Sequence, residues 1–298
     1  MYSNAGIVYI VFGTEYDKLA AYTIGLSRQN TKLPIAIFTN LLPEERSSEW
    51  NEVPDVTFRY FDLPTNDNRS VKTRLYRYSP FENTIYIDCD TVIQRPGIDI
   101  MVNYAKNNGL CLQLARTWQV ETRCARLYVR AARRFRAALP LPIYLGGFFS
   151  FNRKHRQVQN LFDTWYTLWR DGGAGRDMPA LAIAAQRVGF YPKVIHGSDN
   201  IFSFGLSDTA IVVHRAHPDD LHERFGAPQY EMNKLFDKPG DWDKLYFNIE
   251  QNSTEDETTH FSNPKHDQET RYHRNNHEGT DDSKVHGQTG DASLPIVV

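Results

Sequence analysis

The chain has 298 residues, 41% hydrophobic and 13% aromatic, enough to bury a large core in a globular protein of one domain or two. Its formal net charge of −2 is uneven: residues 251–298 hold four basic side chains against nine acidic ones, leaving 30 basic and 27 acidic on residues 1–250. A body so nearly balanced excludes nucleic-acid binding by bulk charge, and three cysteines without paired spacing (Cys89, Cys111, Cys124) exclude a disulfide framework or a structural zinc site.

At the N-terminus, MYSNAGIVYIVFGTEYDK lacks a basic segment before its short apolar run, and Glu15 and Asp17 follow at once, so no signal peptide is read there. No window reaches the roughly 18 consecutive apolar residues of a membrane helix. With unpaired cysteines this predicts a cytoplasmic protein whose membrane contact is at most peripheral. The first strand is 6–12 (GIVYIVF), followed by a helix over 17–28 with Leu19, Tyr22, Thr23 and Leu26 at helical spacing. A second strand, 33–38, ends at Thr39-Asn40; an acidic helix over 43–51, a third strand over 56–61 and a helix over 70–78 come next. The fourth strand is 85–92 (IYIDCDTV). Strands alternating with helices predict an α/β fold with a mostly parallel sheet, a Rossmann-like first half and helices on both faces. Ligands of such sheets sit beyond the carboxyl ends of the strands, where Gly13-Thr14, Thr39-Asn40 and residues 88–90 fall.

Beyond Pro96 the pattern predicts a helix over 98–107, a strand over 109–114, an arginine-rich helix over 120–139, an apolar stretch at 144–151 and an aromatic helix over 158–169. A helix starting at Asp177 and a strand at 212–214 (VVH) complete it. Residues 251–298 are polar with few large apolar side chains, the composition of a disordered tail.

Alternate residues of a strand share a face, so Asp88 and Asp90 are expected to project together, away from Ile87 and Cys89. Two close carboxylates repel and must be desolvated, at a cost of kilocalories unless something positive neutralises them. A divalent cation such as Mn²⁺ or Mg²⁺ does so and leaves positions for substrate phosphates. The plainer alternative has one aspartate capping the following turn and the other bonded to backbone amides.

The surroundings of this pair resemble the metal-dependent glycosyltransferases of the GT-A fold, most closely the glycogenin-like family-8 group, over about residues 6–220. VYIVFGTEYDKLAAYTIGLSRQ resembles the strand, loop and helix that hold the nucleotide base, and KTRLYRYSPFENTIYIDCDTVIQRPG, the most specific match, a basic helix leading into the DxD strand. YLGGFFSFNR is similar to the small-residue turn and strand beside the donor sugar, DMPALAIAAQ to an Asp-led helix, and VVHRAH to the late strand whose histidine completes the metal site. The resemblance implies a nucleotide-sugar donor, a UDP-sugar, and transfer to a hydroxyl acceptor with retention. It divides the chain into a nucleotide-binding half (1–96), a half for donor sugar and acceptor (97–250) and the tail. Asp88 would contact ribose and metal, Asp90 the metal, and His214 would be the third ligand, with His217 the alternative. Thr14 and Tyr16 would line the base, Lys72 or Arg74 the diphosphate, and Gly146 and Gly147 the sugar. Asp177 would approach the donor sugar, or act as base if the configuration inverts. Each of these also has a structural alternative: His214 as a satisfied core or surface histidine, Tyr16 as a packing aromatic, at least two of Arg69, Lys72, Arg74 and Arg77 as a solvated basic face, the glycines as a tight turn, and Asp177 as a helix cap followed by Pro179, a role compatible with sugar binding.

The sequence departs from the pattern at Met178, where Gln usually follows the Asp, at Gly146, where Asn is frequent, and at 217–220, where His-Pro-Asp-Asp replaces a glycine-and-lysine phosphate loop. These departures keep a second reading open, a catalytically inactive nucleotide- or glycan-binding module. A phosphatase with Asp88 as nucleophile ranks lower, because that family's nucleophile strand comes first in the chain and three strands precede this one. A nucleotidyltransferase would show a glycine-rich basic loop where FGTEYDK is acidic. Arg123, Arg126, Arg130, Arg133 and Arg134 form a stripe on the arginine-rich helix; such a stripe is usually a solvated face, and its functional alternative is an anionic acceptor or membrane surface.

Overall fold

In the computed structural model, residues 4–114, 124–173, 175–196, 199–204 and 207–214 are described, with the side chains of 124–126 and 204 excepted. All of them fall within one unit, Met1–Pro239; Arg123, Arg126, His217 and the expected tail lie outside the described residues or side chains. A seven-stranded sheet runs in the order β3 (Val56–Tyr60), β2 (Ile35–Thr39), β1 (Ala5–Val11), β4 (Asn83–Ile87), β7 (Tyr144–Asn152), β6 (Leu110–Leu114), β8 (Lys193–Ile195). β7 is antiparallel to both neighbours and the other pairings are parallel. The mostly parallel α/β sheet is thus as the sequence predicts.

Period-two alternation sorts β1 between two cores. Val8, Ile10 and Phe12 pack with residues of α2 (Asn68–Lys72), α3 (Leu75–Tyr78), α5 (Cys124–Phe135), α6 (Arg156–Asp171) and α7 (Met178–Val188). Ile7, Tyr9 and Val11 pack with α1 (Thr14–Arg28) and α4 (Asp99–Asn108). Both faces are covered, as a parallel sheet requires.

Several elements differ from expectation. The predicted strand 85–92 ends at Ile87; residues 88–90 form a turn, and the chain resumes as β5 (Thr91–Ile93) in a second sheet with β10 (Val212–His214) and β9 (Phe202–Phe204). The carboxylate pair therefore sits in a turn between two sheets, not on one strand face. The glycine pair, expected as a turn before a strand, lies inside β7. There the β6 partner jumps from Phe149 to Leu145 between Leu112 and Gln113, so Gly146 and Gly147 occupy an irregularity of the ladder.

The acidic 43–51 segment is two short 3₁₀ turns, because Ser47 between them is extended and gives its N–H to Asp17 Oδ2 at 2.6 Å. The helix expected over 70–78 breaks at Arg74, whose ψ of 19° leaves the helical region. The arginine-rich helix, expected to reach 139, ends at Phe135 because Arg136 turns left-handed at φ 51° and Ala137 N–H bonds back to Ala132 O. β8 and β9, three residues each, are not among the predicted strands.

Candidate metal and nucleotide-sugar site

β4 carries its last ladder bond from Asp88 N–H to Gly147 O at 2.8 Å, and the turn that follows brings Asp88 and Asp90 together. β10 pairs with β5 in the register His214↔Thr91, which delivers the histidine to the same turn. One ligand atom each from Asp88, Asp90 and His214 lies within 4.8 Å of the others. His214 is buried, with Nδ1 2.9 Å from Thr91 Oγ1 and 3.5 Å from Asp90 Oδ1, and its ring leans on Phe202. Oxygen, oxygen and imidazole nitrogen at this spacing form a donor set that fits a borderline divalent ion such as Mn²⁺.

Gly147 explains how Asp88 and His214 come so close. A β-carbon there would stand 2.5 Å from His214 Cε1 and 2.9 Å from Asp88 Oδ2, so only glycine leaves room. Gly146 plays the same part toward Met178: a β-carbon would collide with its Sδ and lie 3.4 Å from Lys72 Nζ. Gly146 and Met178, two positions where the sequence departs from the pattern it resembles, are therefore in contact with each other.

Lys72, on α2, points inward. Its Nζ lies 3.5 Å from Asp88 Oδ1, 3.6 Å from Asp177 Oδ2 and 4.9 Å over the Tyr86 ring. Burial pulls the ammonium pKa down, but Asp177 and Asp88 outweigh it and hold it above the ordinary lysine value. Burial likewise pushes the Asp88 carboxyl up, and Lys72, His214 and a hydrogen bond from the Tyr86 hydroxyl together bring it below the usual carboxylate range. The Tyr86 hydroxyl, raised by burial and by Asp88, stays protonated and donates.

Asp177 precedes α7, yet its side chain makes no capping bond; the carboxylate faces Lys72 and, at 3.8 Å, Arg69 Nε. The capping expectation is thus corrected, the two cations drawing the carboxylate away from the helix amides. Thr14 opens α1 at an exposed position behind Gly13, whose N–H is held by Asn40 Oδ1 at 2.8 Å. Tyr16 is half-buried against the core beneath α1, and burial, then Cys89, Glu15 and Asp90, raise its pKa. Arg74 is directed elsewhere: its Nε donates to Ser70 O at 2.9 Å and its guanidinium stacks 4.3 Å over Tyr166. Tyr86 and Thr91 are the contributors that sequence reasoning passed over; Tyr86 stands two residues before Asp88, the spacing that puts strand side chains on one face.

Comparison with solved structures gives the fold class: this mostly parallel α/β sheet is of the GT-A type found in glycosyltransferases. The bifunctional glycosyltransferase WbbM superposes with a TM-score of 0.55 at 14% identity over 78% of this chain, which spans about half (51%) of that protein. The galactosyltransferase LgtC, in complex with donor and acceptor sugar analogs, gives 0.50 at 12% identity, covering 72% of this chain and 87% of that one. Mouse xyloside xylosyltransferase 1 gives 0.50 at 11% identity, covering 71% and 97%. No known family pattern matches the chain, and no curated protein matches it in sequence. At these identities the likeness is one of fold.

Proposed function

We propose that this chain is a divalent-metal-dependent glycosyltransferase of the hexosyltransferase type, moving a sugar with retention from a UDP-linked donor to a hydroxyl acceptor. The observation that carries the reading is the gathering of Asp88, Asp90 and His214, with Gly147 leaving room for Asp88 and His214. These three residues would hold Mn²⁺ or Mg²⁺, and the bound ion would supply Lewis-acid neutralisation of the charge that grows on the leaving nucleoside diphosphate. Lys72 adds a buried positive charge next to Asp88, suited to the same diphosphate. Asp177, held by Lys72 and Arg69, is an oriented acceptor for a hydroxyl of the donor sugar. Thr14 and Tyr16 line the base from the start of α1. Exposed Arg130, Arg133 and Arg134 on α5 favour an anionic acceptor. Cys89 and Cys111 are free thiols, which suits the reducing cytoplasm; among the described residues no helix is long and apolar enough to cross a membrane.

Calorimetric titration of UDP into metal-free protein, with and without Mn²⁺, tests the site. Binding that requires both Mn²⁺ and Asp90 is expected; equal binding by Asp90→Ala, or none by either protein, refutes the assignment. Met178 motivates a second reading, a nucleotide-sugar-binding module without transfer, because a thioether is a weak acceptor and donates no hydrogen bond. Binding of UDP and Mn²⁺ without hydrolysis or transfer from any UDP-sugar would select that module.

A further inference from the structure

The two oxygens of Asp88 have different surroundings. Oδ1 accepts a hydrogen bond from the Tyr86 hydroxyl and lies 3.5 Å from Lys72 Nζ. Oδ2 lies 2.9 Å from the point where a β-carbon on Gly147 would stand, and His214 Nδ1 is 2.9 Å from that same point. One oxygen is committed to protein donors, and the other shares the space beside Gly147 with the imidazole. We infer that Tyr86 is a positioning residue for the metal site: its hydroxyl fixes the Asp88 carboxylate with Oδ2 turned toward His214, so that a cation meets a ligand already in place. The inference rests on the metal-site reading of Asp88, Asp90 and His214.

Tyr86 suits this role better than Lys72. The ammonium is shared with Asp177 and is a compact charge without a preferred direction. The phenol is rigid: Tyr86 is only 3% exposed, paired in β4 with Val8 on one side and Phe149 on the other, and its ring packs 4.8 Å from that of Phe149. Phenylalanine at this position keeps the packing and removes the one directional bond, leaving the carboxylate to rotate toward Lys72 and away from the cluster. Partners that orient metal ligands are worth about 10- to 100-fold in metal affinity.

The experiment titrates Mn²⁺ alone into the metal-free full chain, reading the free ion by electron paramagnetic resonance, for wild type, Tyr86→Phe and Tyr9→Phe. Tyr9 contributes another buried phenol, on the neighbouring strand β1. Tyr86→Phe is expected to raise the Mn²⁺ dissociation constant about tenfold or more, with Tyr9→Phe within about twofold of wild type. Tyr86→4-aminophenylalanine, which restores a donor of similar reach, is expected to recover most of the loss, and it carries the test if the phenylalanine variant folds poorly. Wild-type affinity in Tyr86→Phe, equal losses in both phenylalanine variants, or no recovery with the amine overturns the inference while leaving the metal site standing. Failure of the wild type to bind Mn²⁺ overturns the metal-site reading itself.

Discussion

Asp17 and Asp88 are carboxylates set into the same sheet assembly, one on α1 and one at the end of β4, and they are treated differently. Asp17 gives each oxygen to a protein donor, Oδ2 to Ser47 N–H at 2.6 Å and Oδ1 to the Trp50 indole at 2.9 Å. Asp88 receives Tyr86 and Lys72 on the same oxygen and has the other beside Gly147, where His214 also lies, with Asp90 in the same cluster. The first arrangement saturates a buried acceptor and ties the 43–52 segment to α1. The second gathers acceptors against one another, which costs free energy unless a cation joins them. A saturated buried carboxylate signals structure; a gathered set of carboxylates signals a ligand.

If that contrast is right, Asp90→Ala has the largest effect on binding and a small one on the fold. Mn²⁺-dependent UDP affinity should fall by about 100-fold, because a ligand is removed and not merely its support. Stability without metal should stay within about 1 kcal/mol, since the variant also relieves like-charge repulsion. A denaturant titration that showed Asp90→Ala strongly destabilised in the absence of metal would place Asp90 with Asp17 as a structural residue.

Gly147→Ala perturbs both sides of the contrast. Its methyl would stand 2.5 Å from His214 Cε1, so the histidine or Asp88 must move. An Mn²⁺ affinity about tenfold weaker is expected, together with a stability loss of about 1–3 kcal/mol. Calorimetry and denaturant titration on the same preparation read the two separately, and unchanged metal affinity would mean that Gly147 serves only the backbone. Asp17→Ala is the mirror case. It strands the Ser47 amide and the Trp50 indole, for a loss of about 1–3 kcal/mol in unfolding free energy, while the folded protein should bind Mn²⁺ and UDP as wild type does.

The sequence makes the sheet legible because β1, β2 and β4 are short apolar runs separated by helical spacing, and it marks His214 because the histidine ends such a run. What it does not reveal are distant partners. The residue at which β4 stops is set by a bond between Asp88 and Gly147, 59 positions apart in a pairing that no local pattern encodes. The acidic 43–51 segment reads as a helix because nothing nearby announces that Ser47 will give its amide to Asp17, 30 residues earlier. β8 and β9 are too short to show a period. Tyr86 reads as an ordinary strand aromatic, although the two-residue spacing to Asp88 already puts both side chains on one face.

The smallest effect expected is the most specific. Asn at 146 and Gln at 178 are what the family resemblance leads one to expect, and here Gly and Met replace them. Because the Met178 sulfur occupies the space a β-carbon on Gly146 would need, the two replacements depend on each other. Gly146→Asn alone should destabilise the protein by about 1–3 kcal/mol through overpacking against Met178. Met178→Gln alone should change little, because the amide has about the length of the thioether and Met178 is only half-buried. The double variant should recover part of the first loss, because an amide at 178 can hydrogen-bond the amide at 146 where the thioether cannot, giving a coupling of about 0.5–2 kcal/mol in a denaturant-based cycle. Simple additivity would mean that the cost at 146 does not depend on the side chain at 178. The two departures would then be unrelated, and the wall they form beside Lys72 and Asp177 would not be a unit shaped for one donor.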